Sequence, residues 1–223
     1  MTLRVLVLIV TGGGFLPATL AAQGGVEVRG NLTVLDKGSK RAADVASAVV
    51  WLEGARGAKA VDLEIVTQRK EFTPNILVAP LGSQVSFSNR DAFNHNVFSR
   101  SDEAPFDLGL YGRDQTRAVR LSKPGIARIY CNIHAQMWAV VVVVESPYVA
   151  RPGGDGAFRI ANVPPGSYRL QVWHERAGQA TRTLEVGPAG VADLAMSLDA
   201  SGFKRQTHLN KFGRPYDPEG RRY

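Results

Sequence analysis

Cys131, His134 and Met137 stand in the chain as Cys-x-x-His-x-x-Met, and His95 lies well upstream on a separate segment. Together they offer one thiolate, one thioether and two imidazoles. The sulfur donors are soft and favour Cu(I), while imidazoles keep Cu(II) acceptable. Such a set suits a trigonal centre with a long, weak axial bond, which is what blue copper requires. A site poised between the two geometries reorganises little when an electron moves. Three donors on one short loop, with the fourth on a neighbouring strand, fix that compromise before metal arrives.

Other chemistry is weighed against the same residues. Cys131 is the only cysteine, so it cannot close an intramolecular disulfide. An inert thiol, an intermolecular bridge or a metal ligand remain, and an exported protein rarely keeps a lone thiol without a use for it. A lone histidine on a strand is usually a satisfied polar residue, so His95 gains meaning only beside the Cys-x-x-His-x-x-Met loop. Structural zinc prefers more thiolates or a closed set without methionine. A dinuclear copper centre needs a second loop cysteine. A further copper cluster needs several more histidines, and only His174 and His208 remain. Haem attachment through Cys-x-x-Cys-His is absent. Trp138 reads as a core aromatic at a strand start, and His174 as a surface or domain-contact residue.

The elements that must position these residues are short strands. Of 223 residues, 44% are hydrophobic, with 23 glycines and 12 prolines, and helical periodicity is scarce. The patterns predict strands over 26–35, 48–52, 61–66, 75–79, 84–88, 95–99, 116–121, 126–130 and 138–145. Residues 131–137 form a loop. Further strands are expected over 157–160, 167–174, 183–186 and 191–198. This is an all-β chain built as β-sandwiches.

The segment Asn89-Arg90-Asp91-Ala92-Phe93-Asn94-His95-Asn96-Val97, followed by Cys131-Asn132-Ile133-His134-Ala135-Gln136-Met137, resembles the cupredoxins. The short ligand loop is nearest to that of amicyanin and similar to the longer loop of plastocyanin. Phe72-Thr73-Pro74 and Gly82-Ser83-Gln84-Val85-Ser86-Phe87 match the opening hairpin. The resemblance covers about residues 61–147 and implies a Greek-key β-sandwich holding one type 1 copper per chain. It makes His95, Cys131 and His134 the equatorial ligands and Met137 the axial one. Asn96 would support them by hydrogen-bonding the first ligand strand to the cysteine loop. The run from Gly153 to Tyr168 is similar to the carboxypeptidase-regulatory-like domain, a small transthyretin-like sandwich. The order of parts resembles exported proteins often called methylamine-utilisation-like.

The expected organisation is a signal peptide over 1–22, N-terminal strands of the accessory sandwich over 23–54, and a cupredoxin unit over 61–147. The rest of the accessory sandwich follows over 151–198, then a basic extended tail over 199–223. Residues 151–198 lack the opening strands of their pattern, which residues 26–52 supply, so the copper unit is expected to be inserted into its neighbour. The rival is that 26–52 extend the copper unit's own sheet. The leader has Arg4, a glycine-broken apolar run too short to span a bilayer, and small residues at Ala21-Ala22, which predicts export to the periplasm. Net charge is +7, and most of it lies after Gly202. That is not a nucleic-acid-binding composition. The tail is expected either to dock on an acidic partner or anionic surface or to pack on the body. A site with no open coordination position predicts a one-electron carrier serving redox protein partners, and not an enzyme. The alternative is copper storage, delivery or assembly.

Overall fold

Val140 to Val144 is apolar at every position, and so is Val49 to Leu52. A strand of that kind is buried on both faces, where a half-exposed strand would alternate. The structure, a computed structural model that describes residues 24–204 and 207–216, bears this out and explains it. The leader over 1–22 lies outside the described residues, as do 205–206 and 217–223 of the tail.

In chain order the strands are β1 (Val26–Asp36), β2 (Lys40–Arg41), β3 (Val49–Glu53), β4 (Asp62–Gln68), β5 (Glu71–Thr73), β6 (Ile76–Pro80), β7 (Gln84–Asn89), β8 (His95–Ser99) and β9 (Phe106–Tyr111). They continue as β10 (Thr116–Arg120), β11 (Gly125–Cys131), β12 (Trp138–Val144), β13 (Val149–Ala150), β14 (Ala157–Val163), β15 (Gly166–His174), β16 (Gly178–Val186) and β17 (Val191–Asp199). Two single 3-10 turns, Lys37–Ser39 and Val45–Ser47, lie between β1 and β3.

These strands form four sheets stacked as layers. The first is β14-β1-β17 with β2 on β1; the second is β13-β3-β15-β16. The third is β6-β12-β11-β8-β9 and the fourth β10-β7-β4-β5. Val28, Leu32, Val50, Leu52, Leu170 and Val172 fill the space between the first and second sheets. Ile65, Val85, Phe87, Ile129, Val141 and Val143 fill the space between the third and fourth. Between the second and third lies a separate apolar layer of Val49, Trp51, Ile76, Val140, Val142, Val144 and Trp173. Along β12 the odd residues therefore face one core and the even residues another, which is why no polar position interrupts it. The two sandwiches are joined face to face across this layer.

The strands before residue 53 belong with those after residue 157. β1 pairs antiparallel with β14 and parallel with β17. β3 pairs with β15 and with β13. Strands β4 to β12 pair only among themselves. The turn entering β14 shows how the distant segments lock. Gly156 has φ +84, its carbonyl accepts the Leu32 N–H at 2.8 Å, and an added Cβ would lie 2.1 Å from the Leu32 oxygen.

Four strands, the two-residue β2 and β13 together with β5 and β9, escape the hydrophobic pattern. β5 is a three-residue edge piece. β9 carries a register shift between Asn96 and Phe98 of its partner β8, with Gly109 at φ +69. The irregularity turns Tyr111 inward and leaves Leu110 exposed, the reverse of simple alternation.

Truncating Trp173, buried in the middle layer, removes an aromatic side chain that contributes to holding the two sandwiches together. Trp173→Ala is expected to lower unfolding free energy by ~3–5 kcal/mol, measured from urea midpoints. A loss below ~1 kcal/mol would contradict a tightly packed layer.

Candidate metal centre

Register brings the donors together. β8 lies antiparallel to β11 with Val97 opposite Cys131 and Ser99 opposite Ile129. Residues that share a face recur every second position, so His95 falls on the same face as Val97 and Cys131, level with the loop that leaves β11. That loop is closed by its own backbone. The Met137 N–H donates to the His134 carbonyl at 3.1 Å, and the Cys131 N–H to the Met137 carbonyl at 3.3 Å.

Cys131 Sγ lies 3.6 Å from His95 Nδ1 and 3.7 Å from His134 Nδ1. All three donor atoms fall within 4.8 Å of one another, a spacing that one ion can bridge. Among the described residues, no other group of histidine, cysteine and carboxylate donors converges this way. His95 and Cys131 are fully buried, Met137 is buried in the same core as Cys131, and His134 keeps an edge toward solvent.

Polar residues around the donors aim them. His95 Nε2 lies 3.0 Å from Asp91 Oδ2. A carboxylate accepts only, so Nε2 carries the hydrogen and Nδ1 is left bare toward Cys131. The same carboxylate accepts the backbone N–H groups of Arg69 at 2.6 Å and Lys70 at 3.0 Å. Those residues form the β4–β5 turn with φ of 55 and 59, a backbone that side chains of this size seldom adopt, and Asp91 holds it there. Asn89 in turn accepts the Asp91 N–H at 2.8 Å. The role of Asp91 was not read from the sequence, where Asn-Arg-Asp signals only a turn. Its position four residues before His95 was the available cue.

Asn96 is placed as expected but works differently. Its carbonyl accepts the Asn132 N–H at 2.8 Å, so its backbone ties β8 to the ligand loop. Its side-chain amide turns the other way, to Asp107 and to the Gly109 carbonyl at 3.0 Å on β9. His174 is a correction: it is fully buried on β15, with Nε2 3.3 Å from the Asp44 carbonyl, and is neither at the surface nor near the donors. His208, which the sequence left unassigned, packs on Tyr130 beside the loop.

Burial sets the charge state. Desolvation lowers the His95 pKa against the pull of Asp91. Desolvation, together with the charges of His95 and Lys70, brings His134 down to about 4. Burial pushes the Cys131 thiol up, partly opposed by the backbone N–H groups of Asn96, Ile133 and His134. At neutral pH the imidazoles are therefore neutral and ready to ligate, and a metal ion must displace the thiol proton.

No family model matches the chain. Plastocyanin from Ulva arasakii is 29% identical over 73 residues, which are 29% of this chain and 74% of that protein, and plastocyanin from Ulva pertusa matches equally. The fold is cupredoxin-like. Among solved structures, a purple cupredoxin from Nitrosopumilus maritimus is 19% identical with TM-score 0.34, covering 37% of this chain and 99% of that one. A reduced amicyanin variant is 21% identical with TM-score 0.34, covering 37% and 81%. A copper-containing nitrite reductase from Thermus scotoductus is 24% identical with TM-score 0.37, covering 41% and 24%. In the cupredoxin-like unit of this chain, both histidines aim Nδ1 at the cysteine sulfur.

Because both histidines have lower pKa values in the fold than unfolded, the unfolded chain binds protons first as pH falls. Stability of the metal-free protein is therefore expected to be full above about pH 6.5 and to decline toward about pH 4. Urea midpoints across that window test this, and His134→Ala should flatten the slope. An unchanged slope in the variant would refute the assignment.

Proposed function

We propose that this chain is a mononuclear type 1 copper protein acting as a one-electron carrier, and not an enzyme. The observation that carries the reading is the convergence of His95 Nδ1, Cys131 Sγ and His134 Nδ1 within 4.8 Å, two of them fully buried. Their donor chemistry is the one that suits blue copper. Met137, buried beside Cys131, is assigned the axial position. Copper held there would alternate between Cu(II) and Cu(I). The protein's part is to hold the donors rigid, exclude water and fix the imidazole tautomer through Asp91.

His134 is the proposed electron exit, since it alone of the four ligands is not fully buried. Phe93 lies against its ring at 5.4 Å and is itself 41% exposed, giving a small apolar face for a redox protein partner. Placement of the chain in the periplasm rests on the leader sequence. Among the described residues, no helix is long and apolar enough to cross a membrane. The neighbouring sandwich, similar in its glycine and proline turns to carboxypeptidase-regulatory-like domains, is proposed as a rigid mount for the copper unit.

Cu(II) added to the metal-free chain is expected to give an intense blue or blue-green colour from thiolate-to-copper charge transfer, and Cys131→Ser should abolish it. A colourless wild-type complex would sink the type 1 assignment. Met137→Gln should still bind copper but change its reduction potential, since a long axial bond tunes the metal more than it holds it. Potentiometry that finds no change would mean Met137 is not axial. Storage or delivery, the competing role, predicts metal loss on reduction where a carrier cycles reversibly.

A further inference from the structure

Residues 207–216 lie across the ligand loop. The Tyr216 hydroxyl donates to the Cys131 carbonyl at 2.5 Å. The His208 ring stacks on Tyr130 with centroids 4.1 Å apart and planes 21° from parallel, and it meets Tyr216 edge-on at 5.1 Å. The Lys211 N–H donates to Asn132 Oδ1 at 2.9 Å, and its ammonium pairs with Asp107 at 2.6 Å.

The segment also has structure of its own. The buried Asn210 side chain accepts the N–H groups of Phe212 and Arg214, both at 3.0 Å. The Asn210 N–H donates to the Arg214 carbonyl, and the Gly213 N–H to the Asn210 carbonyl, each at 2.9 Å. A solvated tail would make none of these bonds. Proton count then orders the contact ring by ring. Tyr216 has one hydroxyl proton, and the Cys131 carbonyl takes it. The Tyr216 oxygen can only accept from His208 Nδ1, 3.1 Å away, so that nitrogen carries hydrogen.

The Cys131–Asn132 peptide is consequently held from two sides. On the inner side the Asn132 N–H reaches the Asn96 carbonyl at 2.8 Å, and the Ile133 N–H reaches Sγ at 3.4 Å. On the outer side Tyr216 holds the carbonyl and Lys211 the Asn132 side chain. We propose that Tyr216, assisted by His208 and Lys211, is a positioning residue of the metal centre: the C-terminal strap fixes the peptide that carries the thiolate and keeps water from the outer side of the loop. The electronic part of this proposal rests on the copper function, while the holding of the loop is a property of the protein without metal.

The full-length metal-free chain and its Tyr216→Phe variant, which keeps the ring and removes the hydroxyl, are compared by amide hydrogen exchange. The Cys131 and Asn132 amides are expected to exchange roughly 5- to 10-fold faster in the variant, with β15 unchanged. His208→Phe preserves the stack on Tyr130 and loses the Nδ1 hydrogen, so it should act in the same direction more weakly. In the copper-loaded protein, Tyr216→Phe should lower the reduction potential and alter the ratio of the thiolate charge-transfer bands. Water admitted to the loop stabilises the more highly charged Cu(II). Unaltered exchange in both variants overturns the proposal, and so does an unaltered spectrum and potential. A wild-type chain that stays colourless with Cu(II) overturns the copper function instead and leaves the exchange comparison standing.

Discussion

The pairing of β8 with β11 decides whether the centre exists. Side chains on a strand alternate between faces, so a slip of one residue would turn His95 out of the core and leave Cys131 facing no imidazole from that side. With Val97 opposite Cys131, His95 lands beside the sulfur. The neighbours of that pair all serve the same alignment. The Asn96 carbonyl receives the Asn132 N–H, Asp91 holds the far nitrogen of His95, and the Met137 carbonyl receives the Cys131 N–H. A thiol and an imidazole so deeply buried are costly to ionise, so the pocket favours neutral imidazoles, and a thiolate there would need a cation beside it.

The sandwiches extend that alignment outward. β12 begins at the end of the ligand loop and is clamped between two cores, Val141 and Val143 on one side and Val140, Val142 and Val144 on the other. Movement of the loop's C-terminal stem is therefore opposed by both layers at once. The hydrogen-bonded turn of β4 and β5 reaches the site through Asp91, so the fourth sheet also bears on His95.

Much of this was legible in the residues themselves. The three residues that converge, His95, Cys131 and His134, with their loop and the strands on either side, carry strong local signals, because their side-chain types and turn residues are dictated by nearby geometry. So does the split of the accessory strands, visible as a Gly-Asp-Gly and Pro-Pro-Gly pattern that lacks its beginning. What escaped was non-local. Asp91 looks like any turn aspartate until the fold brings Arg69, Lys70 and His95 to its oxygens. β9 breaks alternation because a register shift, not its sequence, turns Tyr111 inward. The strap has no periodicity, and its Lys211 and Tyr216 reach Asn132 and the Cys131 carbonyl only once the loop beneath them exists.

The parallel pairing of β1 with β17 has a consequence for how the chain comes to be folded. On a chain that emerges from its N-terminus, β1 meets its antiparallel partner only when residue 163 has appeared and its parallel partner only at residue 199. Every strand of the cupredoxin-like unit is present by residue 144. The inner unit can thus close first, and its closure brings the two ends of the outer sandwich near each other, shortening the loop that must be closed. Until then β1 is paired only with the short β2, and β3 is an unpaired apolar strand, so both are open to association with other chains. The distance along the chain from β1 to its partners is then bridged by a unit that closes by itself, so the wait for those partners is set by the length of chain beyond it and not by a search through loose loop.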